Sequence, residues 1–138
     1  MTERAFSRNI EAVDEVYRFA EDILEAHDIA DSVRFPVHLA IEELFTNLVK
    51  YNPDGTREIL VDVSAQDVGV TVTITDFAAA EFDVTRSRPV DTQASLDERK
   101  PGGLGLYLIQ RMVDTLEYDY RSGRSRIRFT KQAQQDNV

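Results

Sequence analysis

Three short groups of residues in this chain have side-chain types and spacings that suit chemistry. Glu43 and Asn47 lie four positions apart in a segment with helical periodicity, so a helix places them on the same side, one turn apart. Asp76 ends a segment of alternating apolar and polar residues. Residues 102–105 read Gly-Gly-Leu-Gly and lead into an apolar helix-periodic segment, a pattern that lets the backbone approach a ligand closely.

Each group suits one task in binding or using a phosphorylated ligand. The N–H groups and partial positive charge of a helix N-terminus favour phosphate, so residues 102–105 are a candidate anion site. The carboxamide oxygen of Asn47 suits Mg²⁺, which combines few protein ligands with water and substrate phosphates. Glu43 can accept a proton from an attacking hydroxyl group. Asp76 can accept a hydrogen bond from a buried donor such as the exocyclic amine of adenine.

Each group also has an ordinary structural explanation when it is taken alone. Glycines before a helix can form a plain loop, Glu43 can be a solvated acid, and a strand-ending Asp76 can begin a turn. The glycine run is not a P-loop, because no Gly-Lys-Ser/Thr follows it, and not a dinucleotide fingerprint, because position 108 is leucine. A histidine–cysteine metal site is excluded, since the chain has no cysteine and only two histidines.

The composition indicates an acidic globular protein. The 138 residues carry a formal net charge of −9, which argues against non-specific nucleic-acid binding. No apolar run approaches the roughly 20 residues of a membrane span, and the lack of cysteine fits a reducing compartment, so we expect a cytoplasmic protein with no membrane segment. Residues 121–131 are basic and residues 11–31 acidic; these are either solvated faces or a surface for a protein partner.

Hydrophobic periodicity predicts the elements that must position these groups. The second helix is expected to be capped by Asp31 or Ser32, with Pro36 in its first turn. Two strands joined by a short turn predict an antiparallel hairpin over residues 58–76, and Ser122-Gly123 predicts a turn between the last two strands. The predicted helices cover residues 10–26, 36–51 and 104–114, and the predicted strands residues 2–8, 58–65, 68–76, 116–121 and 124–131.

We expect one domain over residues 1–138, with a core at about residues 5–131. Residues 83–101 are polar and lack periodicity, which favours a lid that ends at the glycine run. Residues 132–138 predict a polar tail.

In this order, the groups resemble the motifs of the GHKL ATPase superfamily, and within it the small anti-sigma-factor serine-protein kinases of the RsbW-like group. Residues 43–47, Glu-Leu-Phe-Thr-Asn, match the N-box, and residues 102–108 match the second glycine box, with Arg111 to Asp114 continuing the likeness. The resemblance implies an α+β fold, a two-layer α/β sandwich of the Bergerat type. In that fold, helices cover one face of a mixed, mostly antiparallel sheet.

The resemblance also implies ATP and Mg²⁺ as ligands and assigns roles to single residues. Glu43 is the base for a serine hydroxyl, Asn47 is the Mg²⁺ ligand, and Asp76 accepts from adenine. Lys100 and Arg99 either approach the phosphates or are solvated, and Ser125 either assists at adenine or is a plain strand residue. The remaining residues implied in nucleotide binding are Ala78 in the first glycine box and Gly102, Gly103, Leu104 and Gly105 in the second.

Two positions depart from the family pattern. The first glycine box usually reads Asp-x-Gly, whereas this chain has Asp76-Phe77-Ala78. Alanine is the smallest replacement for glycine, although a position that needs positive φ would be strained. Tyr51 stands where members often carry a histidine.

Three functions fit these features. The preferred one is a serine-protein kinase that phosphorylates an anti-sigma-factor antagonist protein and so switches association with a sigma factor or another regulator. The second is a non-catalytic, ATP-gated module that sequesters such a regulator, and the third is an ATPase with a conformational cycle. Neither nucleic acid nor a membrane is an expected direct partner, and the sequence leaves a homodimer open.

Overall fold

A computed structural model describes residues 2–51, 58–66, 69–77, 103–121 and 123–133, without the side chains of Tyr51 and residues 103–106. Helices and strands occur where periodicity predicts them, with bounds shifted by a few residues. No helix within these ranges is long and apolar enough to cross a membrane. The elements are β1 (Glu3–Phe6), a 3-10 turn (Ile10–Ala12), α1 (Val13–Ala26), α2 (Asp31–Tyr51), β2 (Ile59–Gln66), β3 (Gly69–Asp76), α3 (Gly103–Met112), β4 (Thr115–Arg121) and β5 (Arg124–Gln132).

The five strands form one sheet in the order β1-β2-β3-β5-β4, and each pairing in the described residues is antiparallel. The predicted hairpin is confirmed, since β2 and β3 pair from Ile59 opposite Asp76 to Gln66 opposite Gly69. The helices α1 and α2 pack against the sheet and against each other, and α3 packs on α2. The predicted α+β class, with helices on one face of the sheet, is therefore confirmed.

Alternation in the strands and the apolar stripe of α2 build the core. In β3 every second residue, from Val70 through Ile74, is buried, while the threonines between them lie on the other face. Burying one such apolar side chain stabilises the fold by about 1.5–3 kcal/mol. The stripe of α2 that covers these strands is fully or almost fully buried and consists of Val37, Ile41, Leu44, Phe45 and Leu48.

The start of α2 differs from the prediction. The carbonyl group of Ala30 accepts hydrogen bonds from the N–H groups of Val33 and Arg34, at 2.9 and 3.0 Å, so Ala30 is the residue that precedes the helix. The prediction of Asp31 or Ser32 as the cap is wrong, and Pro36 lies inside the helix rather than in its first turn. Asp31 and Ser32 are thus already part of the helix, whereas a capping side chain belongs to a residue whose backbone is not helical.

A polar cluster fixes α1 on α2. Arg34 Nη1 donates to Glu21 Oε1 at 2.8 Å, and His38 forms a hydrogen bond with the other oxygen of the same carboxylate. Burial acts to raise the pKa of Glu21, but the hydrogen bonds and charges of His38 and Arg34 outweigh it and hold that pKa below its ordinary value. The ring of Tyr17 stacks on His38 with centroids 4.2 Å apart. This cluster orients the helix that carries Glu43 and Asn47.

The basic segment of β5 faces acidic residues of β4. Arg126 lies opposite Asp119, with 3.3 Å between Arg126 Nη2 and Asp119 Oδ2, and Arg128 lies opposite Glu117. Neighbouring carboxylates therefore offset part of the positive charge on this face of the sheet.

The turn between β4 and β5 depends on glycine. Gly123 has a φ of +79°, a conformation that L side chains rarely adopt, although an added Cβ would meet nothing closer than the Phe77 carbonyl oxygen at 4.0 Å. We expect G123A to lower the free energy of unfolding by about 1 kcal/mol through backbone strain alone. G123N should lower it by less, because asparagine tolerates this conformation. Urea unfolding measures both, and an equal loss in the two variants would contradict the explanation.

Candidate functional site

When the exposure of the whole residue is considered, three polar residues are buried in the described part of the chain, and the sequence analysis had singled out all three. Asn47 is 2% exposed, and Asp76 and Ser125 are each 1% exposed. Polar groups are seldom buried without a hydrogen-bonding role, because their dehydration is costly. These residues therefore define the candidate ligand-binding site.

Strand pairing brings Asp76 and Ser125 together. Asp76 is the last residue of β3, and its Cα partner in β5 is Ser125, the second residue of that strand. Both side chains point to the helix-covered side of the sheet, where Val72 and Ile74 are also buried. The register thus places a carboxylate and a hydroxyl group side by side at one end of the sheet.

Helix α2 supplies Glu43 and Asn47 one turn apart. Leu44 and Leu48 pack in the core beside them, which buries Asn47 and leaves Glu43 half-buried at the border of the apolar stripe. The Thr46 hydroxyl donates to the Glu43 carbonyl oxygen at 3.2 Å. The Glu43 carboxylate itself has no hydrogen bond or ion pair with any residue in the described ranges.

Arg8 joins these two parts of the site, and sequence reasoning missed it. Its Nη1 donates to Asp76 Oδ2 at 3.0 Å, and its Nη2 donates to Asp76 Oδ1. Nη1 also lies 3.4 Å from the carbonyl oxygen of Leu48 in α2. The side chains of Arg8 and Asp76 are 2% and 1% exposed. One arginine after an edge strand gives no local signal of this kind, because its partner is distant in sequence.

Two buried polar atoms in this region have no hydrogen-bond partner in the described residues: Asn47 Nδ2 and Ser125 Oγ. Leaving such an atom unsatisfied costs about 1–3 kcal/mol. A hydroxyl group beside a strand-end carboxylate is suited to a polar ligand, and the Asn47 carboxamide offers a further unsatisfied donor on α2. The Asn47 side chain also provides the single neutral oxygen that fits Mg²⁺, whose other ligands are normally water and phosphate.

The glycine run is described only from Gly103, the residue at which α3 begins. Gly103, Leu104 and Gly105 therefore form the first turn of a helix that packs on α2, as expected for an anion site at a helix N-terminus. The predictions for Ala78, Arg99, Lys100 and Gly102, and for the lid at residues 83–101, lie outside the described residues.

Two surface depressions occur elsewhere in the described residues. One, of about 200 Å³, is lined by residues such as Gln110 and Leu116, and the other, of about 130 Å³, lies between Tyr17, His38 and Phe45. Both are smaller than the roughly 300–1,000 Å³ of typical ligand pockets. Neither is lined by Asn47 or Asp76, so the buried polar cluster is the better candidate for the site.

Comparison with known families decides which fold family this arrangement represents. Residues 6–131 match the family described as the histidine kinase-like ATPase domain. The chain belongs to this family. Because that match spans nearly the whole chain, the resemblance to the GHKL ATPase superfamily is confirmed, and an ATPase domain of this type implies ATP binding.

Similar proteins agree with this assignment. The serine/threonine-protein kinase BtrW of Bordetella bronchiseptica is 29% identical over 100 residues, which cover 71% of this chain and 70% of BtrW. A chain in the crystal structure of the SiaB-SiaC complex from Pseudomonas aeruginosa has 17% identity and a TM-score of 0.65, with coverage of 93% of this chain and 87% of that chain. The nucleotide-free catalytic domain of histidine kinase ThkA has 16% identity and a TM-score of 0.52, with coverage of 96% and 98%. The two solved structures confirm the fold.

The buried ion pair should dominate the stability of this end of the sheet. R8M leaves the Asp76 carboxylate buried without its cation, so we expect the free energy of unfolding to fall by about 3 kcal/mol or more. R8M/D76N, which removes both charges, should recover part of that loss. Urea unfolding provides the measurement. R4M removes an exposed arginine of the neighbouring strand β1 and should change stability by less than about 0.5 kcal/mol. An R8M value close to that of R4M would show that the pair is not a main support.

Proposed function

We propose that this protein is a serine-protein kinase that binds ATP with Mg²⁺ and phosphorylates a serine of an antagonist protein, thereby switching protein association. The observation that carries the proposal is the pairing on α2 of a half-buried Glu43 carboxylate with a buried Asn47 carboxamide, one turn apart. The name of BtrW, a serine/threonine-protein kinase, supports this class of reaction. The SiaB-SiaC structure, a complex of two proteins, supports a protein as the partner.

In the proposed reaction, Glu43 accepts the proton of the partner's serine hydroxyl. The serine oxygen then forms a bond to the γ-phosphorus of ATP as the bond from that phosphorus to the β,γ-bridging oxygen breaks, and ADP leaves. The Glu43 carboxylate suits this role because it is half-buried and has no hydrogen bond or ion pair in the described ranges that would occupy its oxygens. Little covalent chemistry is required of the protein in phosphoryl transfer, so positioning and charge stabilisation matter most.

The other residues hold the nucleotide in this proposal. Asp76 and Ser125, adjacent across β3 and β5, receive the adenine base, and the N–H groups of Gly103, Leu104 and Gly105 at the start of α3 receive phosphate oxygens. Asn47 provides a ligand oxygen for Mg²⁺, which when bound offsets charge on the β- and γ-phosphates. Ala78, Lys100 and Gly102 remain proposed nucleotide contacts on sequence grounds.

Phosphorylation of the partner explains how such an enzyme acts as a switch. The phosphate adds a charge of about −1.5 to −2 to the serine. On a protein of net charge −9, that added charge disfavours rebinding of the phosphorylated antagonist. We propose that the surface released in this way engages a sigma factor or another regulator, and that the exchange takes place in the cytoplasm, where ATP is available.

Substitution of Glu43 tests the catalytic assignment. E43Q keeps the shape of the side chain but cannot accept the serine proton, so we expect the phosphotransfer rate to fall about 100-fold while ATP affinity stays within twofold. E42Q is the matched control, because Glu42 is the exposed neighbour on the same helix. Radiolabel transfer from γ-labelled ATP gives the rate. Wild-type transfer by E43Q would exclude Glu43 as the base.

Substitution of Asn47 tests the proposed Mg²⁺ ligand. N47A should weaken Mg²⁺-dependent ATP binding by at least about tenfold, with a smaller change when EDTA is present, because only the metal-dependent part of the affinity is lost. T46A is the control, since the Thr46 hydroxyl bonds only to its own helix among the described residues. Isothermal titration calorimetry with and without Mg²⁺ measures the effect. Equal affinities of N47A and wild type in Mg²⁺ would contradict the assignment.

One experiment separates the three functions that the sequence allows. The purified protein is incubated with γ-labelled ATP and a small serine-bearing antagonist domain. Label on the antagonist supports the kinase. ATP-dependent binding of the antagonist without label supports a non-catalytic binding module, which the alanine at position 78 also favours. Release of free phosphate alone supports an ATPase cycle.

A further inference from the structure

We propose that Arg8 is a positioning residue for the nucleotide base and that it sets the preference for a 6-aminopurine over a 6-oxopurine. The inference rests on the proposed function to the extent that Asp76 receives the base. It concerns a residue in the segment between β1 and the 3-10 turn, which none of the expected nucleotide-binding motifs contains.

Local contacts of the backbone on both sides of Arg8 fix the position from which its side chain reaches Asp76. Phe6, two residues earlier, is 2% exposed and anchors the end of β1 in the core. The N–H of Asn9 donates to the Ser7 carbonyl oxygen at 2.8 Å, and the Asn9 side chain accepts from the N–H of Glu11 at 3.0 Å. Residues on both sides of Arg8 are therefore tied locally, which lowers the entropic cost of ordering a long side chain.

The guanidinium orients the carboxylate through a two-pronged contact. Both oxygens of Asp76 accept from Arg8, and the third contact, from Arg8 Nη1 to the Leu48 carbonyl oxygen, ties the pair to α2 one residue after Asn47. Such a planar fork fixes the rotation of the carboxylate as well as its position. A lysine at position 8 would retain the charge but could not reproduce this geometry.

This arrangement gives Asp76 a defined chemical preference. A carboxylate has about four acceptor positions, so the two that Arg8 takes do not exhaust them. The 6-amino group of adenine is a donor and matches it, whereas the 6-oxo group of hypoxanthine or guanine is an acceptor and is repelled. Without the guanidinium, a buried carboxylate tends to take up a proton or to turn away. A protonated carboxyl group can donate to a 6-oxo group, so the discrimination is lost.

The preference is measured with three ligands that separate base recognition from phosphate binding. ATP carries the 6-amino group, ITP carries a 6-oxo group on the otherwise identical nucleotide, and tripolyphosphate has no base. Dissociation constants are determined in Mg²⁺ for wild type, R8K, R8M and the control R4M, which replaces an exposed arginine in β1, four positions before Arg8. Circular dichroism and thermal unfolding establish that each variant is folded.

We expect the ratio of ITP to ATP dissociation constants to fall by about fivefold in R8K, because lysine keeps the charge but cannot fix the rotation of the Asp76 carboxylate. The ratio should fall by about tenfold in R8M, because the carboxylate then also loses its counter-charge. Tripolyphosphate affinity should stay within about twofold in both variants, and R4M should match wild type for all three ligands. If R8M does not fold, R8K decides, since it keeps the charge at position 8.

Two results would overturn the inference. An unchanged ITP-to-ATP ratio in R8K would show that Arg8 does not govern base recognition. A parallel loss of all three ligands, tripolyphosphate included, would show that Arg8 supports the fold and nothing more specific. A failure of the kinase proposal gives a different result. In that case the wild-type protein prefers ATP over ITP and R8K reduces the preference, but the wild-type protein transfers no phosphate to the antagonist.

Discussion

The ion pair between Arg8 and Asp76 determines how three separate parts of the chain meet. It joins the segment after β1 to the end of β3, and through the Leu48 carbonyl oxygen it reaches α2. Two charges this deeply buried are tolerated only when each compensates the other in good geometry. The edge strand, the middle of the sheet and the long helix must therefore be correctly placed together before the polar end of the sandwich is stable.

Helix α2 both packs in the core and carries two residues of the candidate site, and its periodicity places these residues on different parts of its surface. One side supplies the apolar stripe that closes the core over β3 and β5, and the border of that stripe holds Glu43 and Asn47. Because Leu44 and Leu48 are fixed by packing, the two polar residues beside them have little freedom to move. The cluster of Glu21, Arg34 and His38 holds the same helix from the α1 side. Precise placement of the site is thus a by-product of core packing.

The sequence was informative where the signal is local. Alternation in residues 70–74 and the spacing of apolar residues along α2 predict the hairpin, the helix and the burial pattern, since each depends on a period of two or 3.6 residues. Asn47 and Asp76 stood out because polar residues in those patterns need an explanation. Arg8 did not, because a single basic residue after a strand is normally solvated. The start of α2 was misjudged by one or two residues, because Asp31 and Ser32 suit the cap by residue type but already lie in the first turn of the helix.

The position of β1 at the edge of the sheet has a consequence for how the molecule assembles. β1 pairs only with β2 among the described strands, so it cannot form that pairing during synthesis until residues 59–62 have emerged. The contact of Arg8 forms later still, because its partner Asp76 lies 68 positions further along the chain. Contacts of such long range are formed late, because closing the intervening loop costs entropy before the contact returns any stability. During synthesis, β1 and Arg8 therefore lack their partners in the sheet until residues 59–76 have been made.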